Sequence, residues 1–306
     1  MRGTLVISTI LMILVPMTSI ALVQCIPVGT CQCRRFRIQA VNFPSYHFLM
    51  TNPDIVNVMA SIQCRSRNSG GQSQIAFEVS MAGNISGRTM NNGGSSLTFA
   101  VFHPGSTSVP LGNGSNVYTY SGTIGANYAV IPLTFPAEIF TNQNVVEGTY
   151  QARYRFWVTH PQNNNVRTRS RNPRFRVSVQ RVCDVTATDI NLGVYYPTNP
   201  GPTTGIGTLT MQCTPHISAS IEASIGSGSS TYTNRVLTNG HHVLQYNLYT
   251  NAGMSTILGD GSGGSQPIAH MTNGGIQITH YYARIPPKQF DPVGNYASNV
   301  VLSLFL

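Results

Sequence analysis

The sequence repeats itself. Residues 41–46 (VNFPSY) match residues 190–195 (INLGVY), and Cys64 matches Cys213 at the same offset of 149 positions. Further blocks recur in the same order: residues 88–93 match 235–240, 97–102 match 244–249, 128–132 match 282–286, and 147–150 match 293–296. Matching blocks in a fixed order predict two copies of one structural unit, joined near Arg181 and Val182.

Each copy carries the alternation of apolar and polar residues that is typical of β-strands. Residues 74–79 (QIAFEV) and 243–248 (VLQYNL) alternate with period two, and turn clusters such as 91–94 (NNGG) separate such segments. No stretch sustains helical spacing. The sequence therefore predicts an all-β chain of two tandem immunoglobulin-like β-sandwich domains, over residues 22–181 and 182–306.

The N-terminus predicts export. Arg2 precedes an apolar run over residues 5–15, and Ser19 and Ala21 form a small-x-small cleavage site, so residues 1–21 are expected to be a signal peptide. Only 9% of the residues are charged, against about 25% in ordinary globular proteins. This composition argues against a helix-rich cytosolic enzyme and fits an exported β-protein.

The repeat also predicts disulfide pairings. An even number of cysteines in an exported chain indicates disulfides. Cys33 and Cys64 are 31 positions apart and Cys183 and Cys213 are 30 apart, so the repeat pairs them in this way. Cys25 and Cys31 are then left to pair with each other, although Cys31 could take the place of Cys33.

Catalysis and metal binding find little support. Cys31 and Cys33 lack C-x-x-C spacing and a nearby histidine, which argues against a metal site. The nine acidic residues are scattered, without a close pair suited to glycoside chemistry. We therefore expect a protein that is not an enzyme and has no cofactor.

The two copies differ at their C-terminal ends. After its Gly-x-Tyr block, the first copy continues into residues 174–179 (RFRVSV), which alternate cleanly and predict one more strand. The second copy has no counterpart after its strand at 296–306. We therefore expect the second copy to be an incomplete fold with an open edge and an apolar groove, which a strand from another protein would cover. The residues expected at this donor-strand groove are Leu209, Met211, Leu244, Tyr246, Tyr296, Val300, Leu302, Leu304 and Leu306.

The second copy resembles the spore coat protein U domain of archaic, Csu-type chaperone–usher pilus subunits. The resemblance covers residues 183–306 and rests on residues 192–195 (LGVY), 209–214 (LTMQCT), 244–249 (LQYNLY), 258–261 (LGDG) and 294–296 (GNY), with Cys183 and Arg235. The first copy matches more weakly: it keeps Cys64, Arg88 and Gly148-x-Tyr150 but lacks the Gly-Asp-Gly block. The resemblance implies assembly by donor-strand complementation into a pilus on the cell surface. Its implied partners are a periplasmic chaperone, an outer-membrane usher and an adjacent pilin subunit that donates a strand.

The segment before Cys33 bears on the position in a fibre. About eleven residues remain there after the predicted cleavage, and they carry two cysteines and Pro27, which makes a poor donor strand. A subunit that accepts a strand and donates none fits the end of a fibre. We therefore expect a two-domain tip adhesin that mediates surface attachment and biofilm formation. The alternatives are a structural shaft or spore-coat-type subunit, or an outer-membrane β-barrel, which disulfide-stapled repeats argue against.

Charge is divided unevenly between the copies. Residues 22–182 carry 14 arginines and 4 acidic residues, whereas residues 183–306 carry 3 basic and 5 acidic residues. A basic head would be drawn to an abiotic or anionic surface. The alternative interpretation is that these arginines form the solvated face of a strand and its loop. No stacking-aromatic motif indicates a nucleic acid partner.

Strand direction predicts that loops near 65–72, 104–126 and 159–171 form the pole far from the second copy. The contact residues expected there are Arg65, Arg67, Val109, Leu111, Tyr118, Arg167, Arg169 and Arg171.

Overall fold

A computed structural model describes residues 23–306, which form β-strands joined by turns and loops. The helical structure in this range is one short 3-10 turn, Gly114–Asn116. No helix in this part of the chain has the length and apolar character needed to cross a membrane. The expected signal peptide at residues 1–21 lies outside the described residues.

Thirteen strands build the first copy. They are β1 (Gln24–Ile26), β2 (Cys31–Ile38), β3 (Val41–Asn42), β4 (Asp54–Ser66), β5 (Gln72–Met81), β6 (Arg88–Asn92), β7 (Ser95–Val101), β8 (Tyr118–Gly125), β9 (Ala129–Ile139), β10 (Gly148–Arg153), β11 (Phe156–Gln162), β12 (Asn165–Arg171) and β13 (Arg174–Val179).

Ten strands build the second copy. They are β14 (Cys183–Ala187), β15 (Thr203–Cys213), β16 (Ser218–Ala223), β17 (Arg235–Asn239), β18 (His242–Tyr249), β19 (Ile257–Leu258), β20 (Ser265–Gln266), β21 (Ile268–Met271), β22 (Ile276–Ile285) and β23 (Leu302–Phe305).

The strands of the first copy wrap around one core. Strands β2, β4, β9, β7, β6, β10 and β13 are neighbours in that order, while β11 pairs with both β5 and β12, and β5 with β8. Strands β10 and β11 are consecutive in the chain, so one run of residues passes from the first group of strands to the second. In the second copy, β14, β15, β22 and β18 are neighbours in one sheet, and β21, β16 and β23 form another.

Alternating burial gives each copy its own hydrophobic core. In β9 the odd-numbered residues Ile131, Leu133, Phe135, Ala137 and Ile139 are buried, and the residues between them are more exposed. The first core is rich in phenylalanine, whereas the second is smaller and built mainly of aliphatic residues. The structure confirms the predicted all-β sandwich class. The alternation of apolar and polar residues along each strand determines which face of the strand turns toward the core.

Three disulfides join the cysteines of the structure. Cys33 is bonded to Cys64 and Cys183 to Cys213, in each case between directly paired residues of neighbouring strands. Cys25 is bonded to Cys31, which ties β1 to the start of β2. The first two bonds join the cysteines that the repeat pairs, and the third joins the two cysteines that were left over, so Cys31 does not take the place of Cys33.

Each copy also buries one arginine at the same place in the repeat. Arg88 and Arg235 are 1% and 0% exposed. The guanidinium of Arg88 donates to the carbonyl oxygens of Ala82 and Leu111. That of Arg235 donates to the carbonyls of Ile225, Ser224 and Leu258 and to Asn247 Oδ1. Burial lowers the pKa of Arg88 to about 10 and also lowers that of Arg235.

Candidate functional site: an unfilled groove in the second copy

The first copy shows how this fold closes its groove. Strand β13 lies between two edges, running antiparallel to β10 from Gly148 to Arg153 and parallel to β3. Its inward side chains Phe175, Val177 and Val179 are 0%, 1% and 5% exposed. Phe175 stacks on Phe156, with ring centroids 6.3 Å apart and nearly parallel planes. The strand therefore acts as an apolar plug with three inward side chains.

In the second copy, no strand among residues 23–306 occupies the equivalent place, and the side chains that would line it are uncovered. The lining residues of the first copy are between 0% and 7% exposed, whereas every equivalent in the second copy is only partly buried. The equivalent pairs are Val41 and Ile190, Phe43 and Leu192, Tyr46 and Tyr195, Tyr150 and Tyr296, Phe156 and Leu302, and Val158 and Leu304. The second copy therefore presents an apolar groove where the first has a filled one.

Backbone hydrogen bonding distinguishes the two grooves as well. In the first copy, the amides of Phe43 and Tyr46 donate to the carbonyls of Arg176 and Ser178 in β13, both at 2.8 Å. Within the described chain, the equivalent amides of Leu192 and Tyr195 have no hydrogen-bond acceptor. Unpaired backbone groups beside an apolar groove are a template for an added strand.

The groove of the second copy has the same frame as the first. Tyr46 accepts a hydrogen bond from the amide of Gln143 at 2.8 Å, and the Gln143 side chain bonds the backbone of Thr98 in both directions. The second copy repeats this clamp with Tyr195, Gln289 and Gln245. Because both copies share this clamp, the edge at residues 190–195 is held in place without a covering strand.

A second frame element recurs on the opposite edge. The hydroxyl of Tyr150 donates to the carbonyl of Val146 at 2.9 Å, and that of Tyr296 donates to Pro292 at 2.8 Å. Each tyrosine thus anchors the chain just before the edge strand, as tyrosine corners do in immunoglobulin-like sandwiches. Beyond it, Ala297 pairs with Thr238 as Gln151 pairs with Asn91.

The predicted groove residues fall into two groups. Leu209, Met211, Leu244 and Tyr246 are at most 6% exposed and belong to the core beneath the groove. Tyr296, Val300, Leu302 and Leu304 pack on that core but remain partly exposed, and Leu306 is 46% exposed. Sequence reasoning missed the opposite edge, formed by Ile190, Leu192 and Tyr195. Their match to residues 41–46 was the available indication, since β13 lies against that segment in the first copy.

The predicted surface-contact residues of the first copy lie in different places in the structure. Leu111 is fully buried under the Arg88 guanidinium, so the prediction that it contacts a surface is wrong. Tyr118 packs edge-on against Phe135, and Val109 lies in the loop after β7 on the flank of the copy. Much of the expected loops is strand, because β8 occupies 118–125 and β12 occupies 165–171.

The pole far from the second copy is built from four short connections. These are residues 27–30, 67–71, 126–128 and 163–164. The amide of Asn163 donates to Cys31, and that of Arg67 to Thr30, which brings three of the connections together. Of the predicted residues, Arg65, Arg67 and Arg167 lie close to this pole, whereas Arg169 and Arg171 lie further along β12.

Apolar side chains are exposed at this pole that sequence reasoning did not select. Val28 is 84% exposed, Val166 57% and Ile26 50%. Gly29 in the first connection lies against Asn164 in the β11–β12 turn, so these side chains belong to neighbouring segments. Their position beside a disulfide-closed loop was not evident from spacing alone.

Comparison with known families decides the classification of the chain. The Spore Coat Protein U domain model matches twice, over residues 17–153 and 171–303. The chain belongs to the spore coat protein U domain family. The second domain match includes β13, the strand that fills the groove of the copy before it.

A solved structure shares the fold of this spore coat protein U domain chain. It is a chain of the CsuC–CsuE chaperone–tip adhesion subunit pre-assembly complex from archaic chaperone–usher Csu pili of Acinetobacter baumannii. It is 13% identical, with a TM-score of 0.56 over 89% of this chain and 100% of that chain. The chain is also weakly similar to the CupB6 tip adhesin from Pseudomonas aeruginosa, at 8% identity and a TM-score of 0.36 over 90% and 94% of the two chains. No curated protein sequence matches the chain significantly.

Proposed function

We propose that this protein is a subunit of a chaperone–usher pilus and that its second copy accepts a strand from another protein. The observation that carries the proposal is the contrast between the two grooves, one plugged by β13 and the other uncovered within the described chain. The solved relative with the same fold is described as a tip adhesion subunit in complex with a chaperone. A periplasmic chaperone would supply the strand first, and an adjacent subunit would replace it at the outer-membrane usher.

The geometry of β13 specifies the strand that the groove would take. It should run parallel to residues 190–195 and antiparallel to residues 294–299, as β13 runs beside β3 and β10. Three apolar side chains at alternate positions should point inward, in the places of Phe175, Val177 and Val179. The outward positions face solvent and can be polar, since Arg174 and Arg176 are exposed.

A peptide with the sequence of residues 172–180 tests this proposal. Added to the full chain, it should raise the thermal unfolding temperature and keep the protein soluble and monomeric, because it covers apolar surface and pairs free backbone groups. A control peptide carries serine in place of Phe175, Val177 and Val179 and should have no effect. Equal effects of both peptides, or no rise in the unfolding temperature with the strand peptide, would contradict a strand-accepting groove.

We further propose that the subunit occupies the pilus tip, exported through the periplasm to the cell surface, and mediates attachment that leads to biofilm. Two features support this position. Residues 24–26 are already paired with β5 and closed by the Cys25–Cys31 bond, and the groove of the first copy is already filled. The first copy would then point its basic, Val28-bearing pole outward.

Matched valine variants test the tip role. Val28→Ser combined with Val166→Ser removes exposed apolar groups from the pole, and Val109→Ser removes one exposed apolar group, at 45% exposure, from the flank. Cells with the pole variant should carry a normal number of fibres and attach poorly, whereas cells with the flank variant should attach normally. Normal attachment of the pole variant would place the contact surface elsewhere, and fibres lacking this subunit at their ends would exclude the tip.

A further inference from the structure

A β-bulge places two arginines of β2 on one face of the first copy. Residues three apart in a regular strand point to opposite faces. Here the register shifts between Arg34 and Arg37, and Arg35 has a positive φ of 56°. Arg34 therefore pairs with Gln63 and Arg37 with Ser61, both of which point away from the core. Bulges of this kind re-aim side chains and are common beside binding sites.

The two arginines belong to a larger cationic cluster. The guanidinium carbon of Arg34 lies 3.5 Å from the centroid of the Tyr128 ring, and that of Arg65 lies 4.6 Å from it. Next along the same face, Arg37 and Arg171 line a cleft of about 500 Å³ together with Gln39 and Ser61. The cluster thus joins the edge of β2 to the end of β12.

These arginines are held together without a counter-charge. The single ion pair found in residues 23–306 is between Arg181 and Glu147, so no carboxylate pairs with the cluster. The buried Nε atom of Arg34 has no hydrogen-bond partner in the described residues. Guanidinium groups prefer planar or tetrahedral oxyanions, which they bind through two parallel hydrogen bonds.

We propose that Arg34, Arg37, Arg65 and Arg171 form a binding track for an acidic polysaccharide that carries carboxylate or sulfate groups. Positions two apart on a strand are about 6.8 Å apart, so the track can meet successive charged groups of an extended polymer. The Tyr128 ring is already covered by guanidinium groups, which leaves it poorly placed to stack on a nucleic acid base. This proposal adds a ligand class to the adhesive role proposed above, and it rests on that role for its biological context. The binding test itself needs neither pili nor attached cells.

Binding to soluble polymers tests the track. The full chain, kept soluble by the strand peptide or alone if it needs none, is titrated with heparin and polygalacturonate as sulfated and carboxylated probes. Neutral dextran and an oligothymidylate are the comparison polymers. We expect binding to at least one acidic polysaccharide, weakened by salt, no binding to dextran, and weaker binding to the oligonucleotide. Tighter binding of the oligonucleotide would overturn the polysaccharide assignment, and no binding to either acidic polysaccharide would overturn the site.

Three double variants distinguish binding at the track from general charge attraction. Arg34→Gln with Arg37→Gln should weaken binding about tenfold or more, because charge-assisted hydrogen bonds are lost. Arg153→Gln with Arg174→Gln removes the same charge from directly paired residues of β10 and β13 and should change affinity by less than about threefold. Arg34→Lys with Arg37→Lys keeps the charge but removes the planar guanidinium groups that can form two parallel hydrogen bonds, so it should still weaken binding. Equal losses in the two glutamine pairs, or full binding by the lysine pair, would show charge attraction without a track. The Trp157 emission spectrum confirms that each variant retains the fold of the first copy.

Discussion

The two copies share one frame, and at the groove they differ in one strand. Both have the cysteine bridge between neighbouring strands, the buried arginine, the tyrosine–glutamine clamp and the tyrosine corner. Only the first copy has β13 between its two edges. The comparison shows that the frame positions the groove, whereas the inserted strand buries it. A frame that holds its edge open is suited to exchanging one strand for another.

The largest expected effect comes from damaging the plug of the first copy. Phe175→Asp puts a charge where a fully buried ring now stacks on Phe156. The free energy of unfolding of the first copy should therefore fall by several kcal/mol, and its unfolding should no longer be cooperative. Trp157 is the only tryptophan and lies in β11, so its fluorescence reports on this copy alone. Arg176→Asp, at an outward position of the same strand, is the control. A native Trp157 signal in the Phe175 variant would mean that β13 is dispensable.

The buried arginines sharpen the claim of a common frame. Arg88→Leu and Arg235→Leu each leave carbonyl oxygens without donors, and each should cost about 3 kcal/mol. Unfolding of the first copy is followed by Trp157 fluorescence and that of the second by circular dichroism in the presence of the strand peptide. A large loss in the free energy of unfolding of one copy, with no loss in the other, would show that the two frames are not equivalent.

The tyrosine clamps should respond differently because one is covered by a strand and one is not. Tyr46→Phe removes two hydrogen bonds in a buried site and should cost about 2 kcal/mol. Tyr195→Phe should cost less than about 1 kcal/mol in the bare second copy, where water can replace the lost partner, and more once the strand peptide is bound. Equal costs in the bare protein would contradict the difference in burial.

The smallest effect is a pH dependence confined to the first copy. Burial lowers the pKa of His160, and Arg167 and Arg169 act in the same direction. The unfolded chain therefore takes up a proton below about pH 6.5 that the folded copy does not, so stability is full above that pH and falls below it. His160→Leu, which copies Leu306 at the equivalent position, should flatten the dependence of Trp157-detected unfolding between pH 7.5 and 5.5. An unchanged slope would assign that dependence to other groups.

The sequence was informative where a pattern recurs and uninformative where only the fold brings segments together. Repeat spacing and apolar alternation were enough to predict the sandwich class, the cysteine pairs and the plug strand at residues 174–179. Spacing could not show that Leu111 turns inward to pack below Arg88. Nor could it show the bulge at Arg35, because a positive φ at a non-glycine residue leaves no alternation pattern. The exposed Val28 likewise depends on a disulfide loop folding back on β5.

Hydrogen exchange of the two equivalent edges tests the central claim most directly. The amides of Phe43 and Tyr46 should be protected under all conditions, because β13 accepts their hydrogen bonds. The amides of Leu192 and Tyr195 should exchange rapidly in the protein alone and become protected when the strand peptide is added. Slow exchange of Leu192 and Tyr195 without the peptide, or no gain in protection with it, would contradict an unfilled groove that accepts a strand.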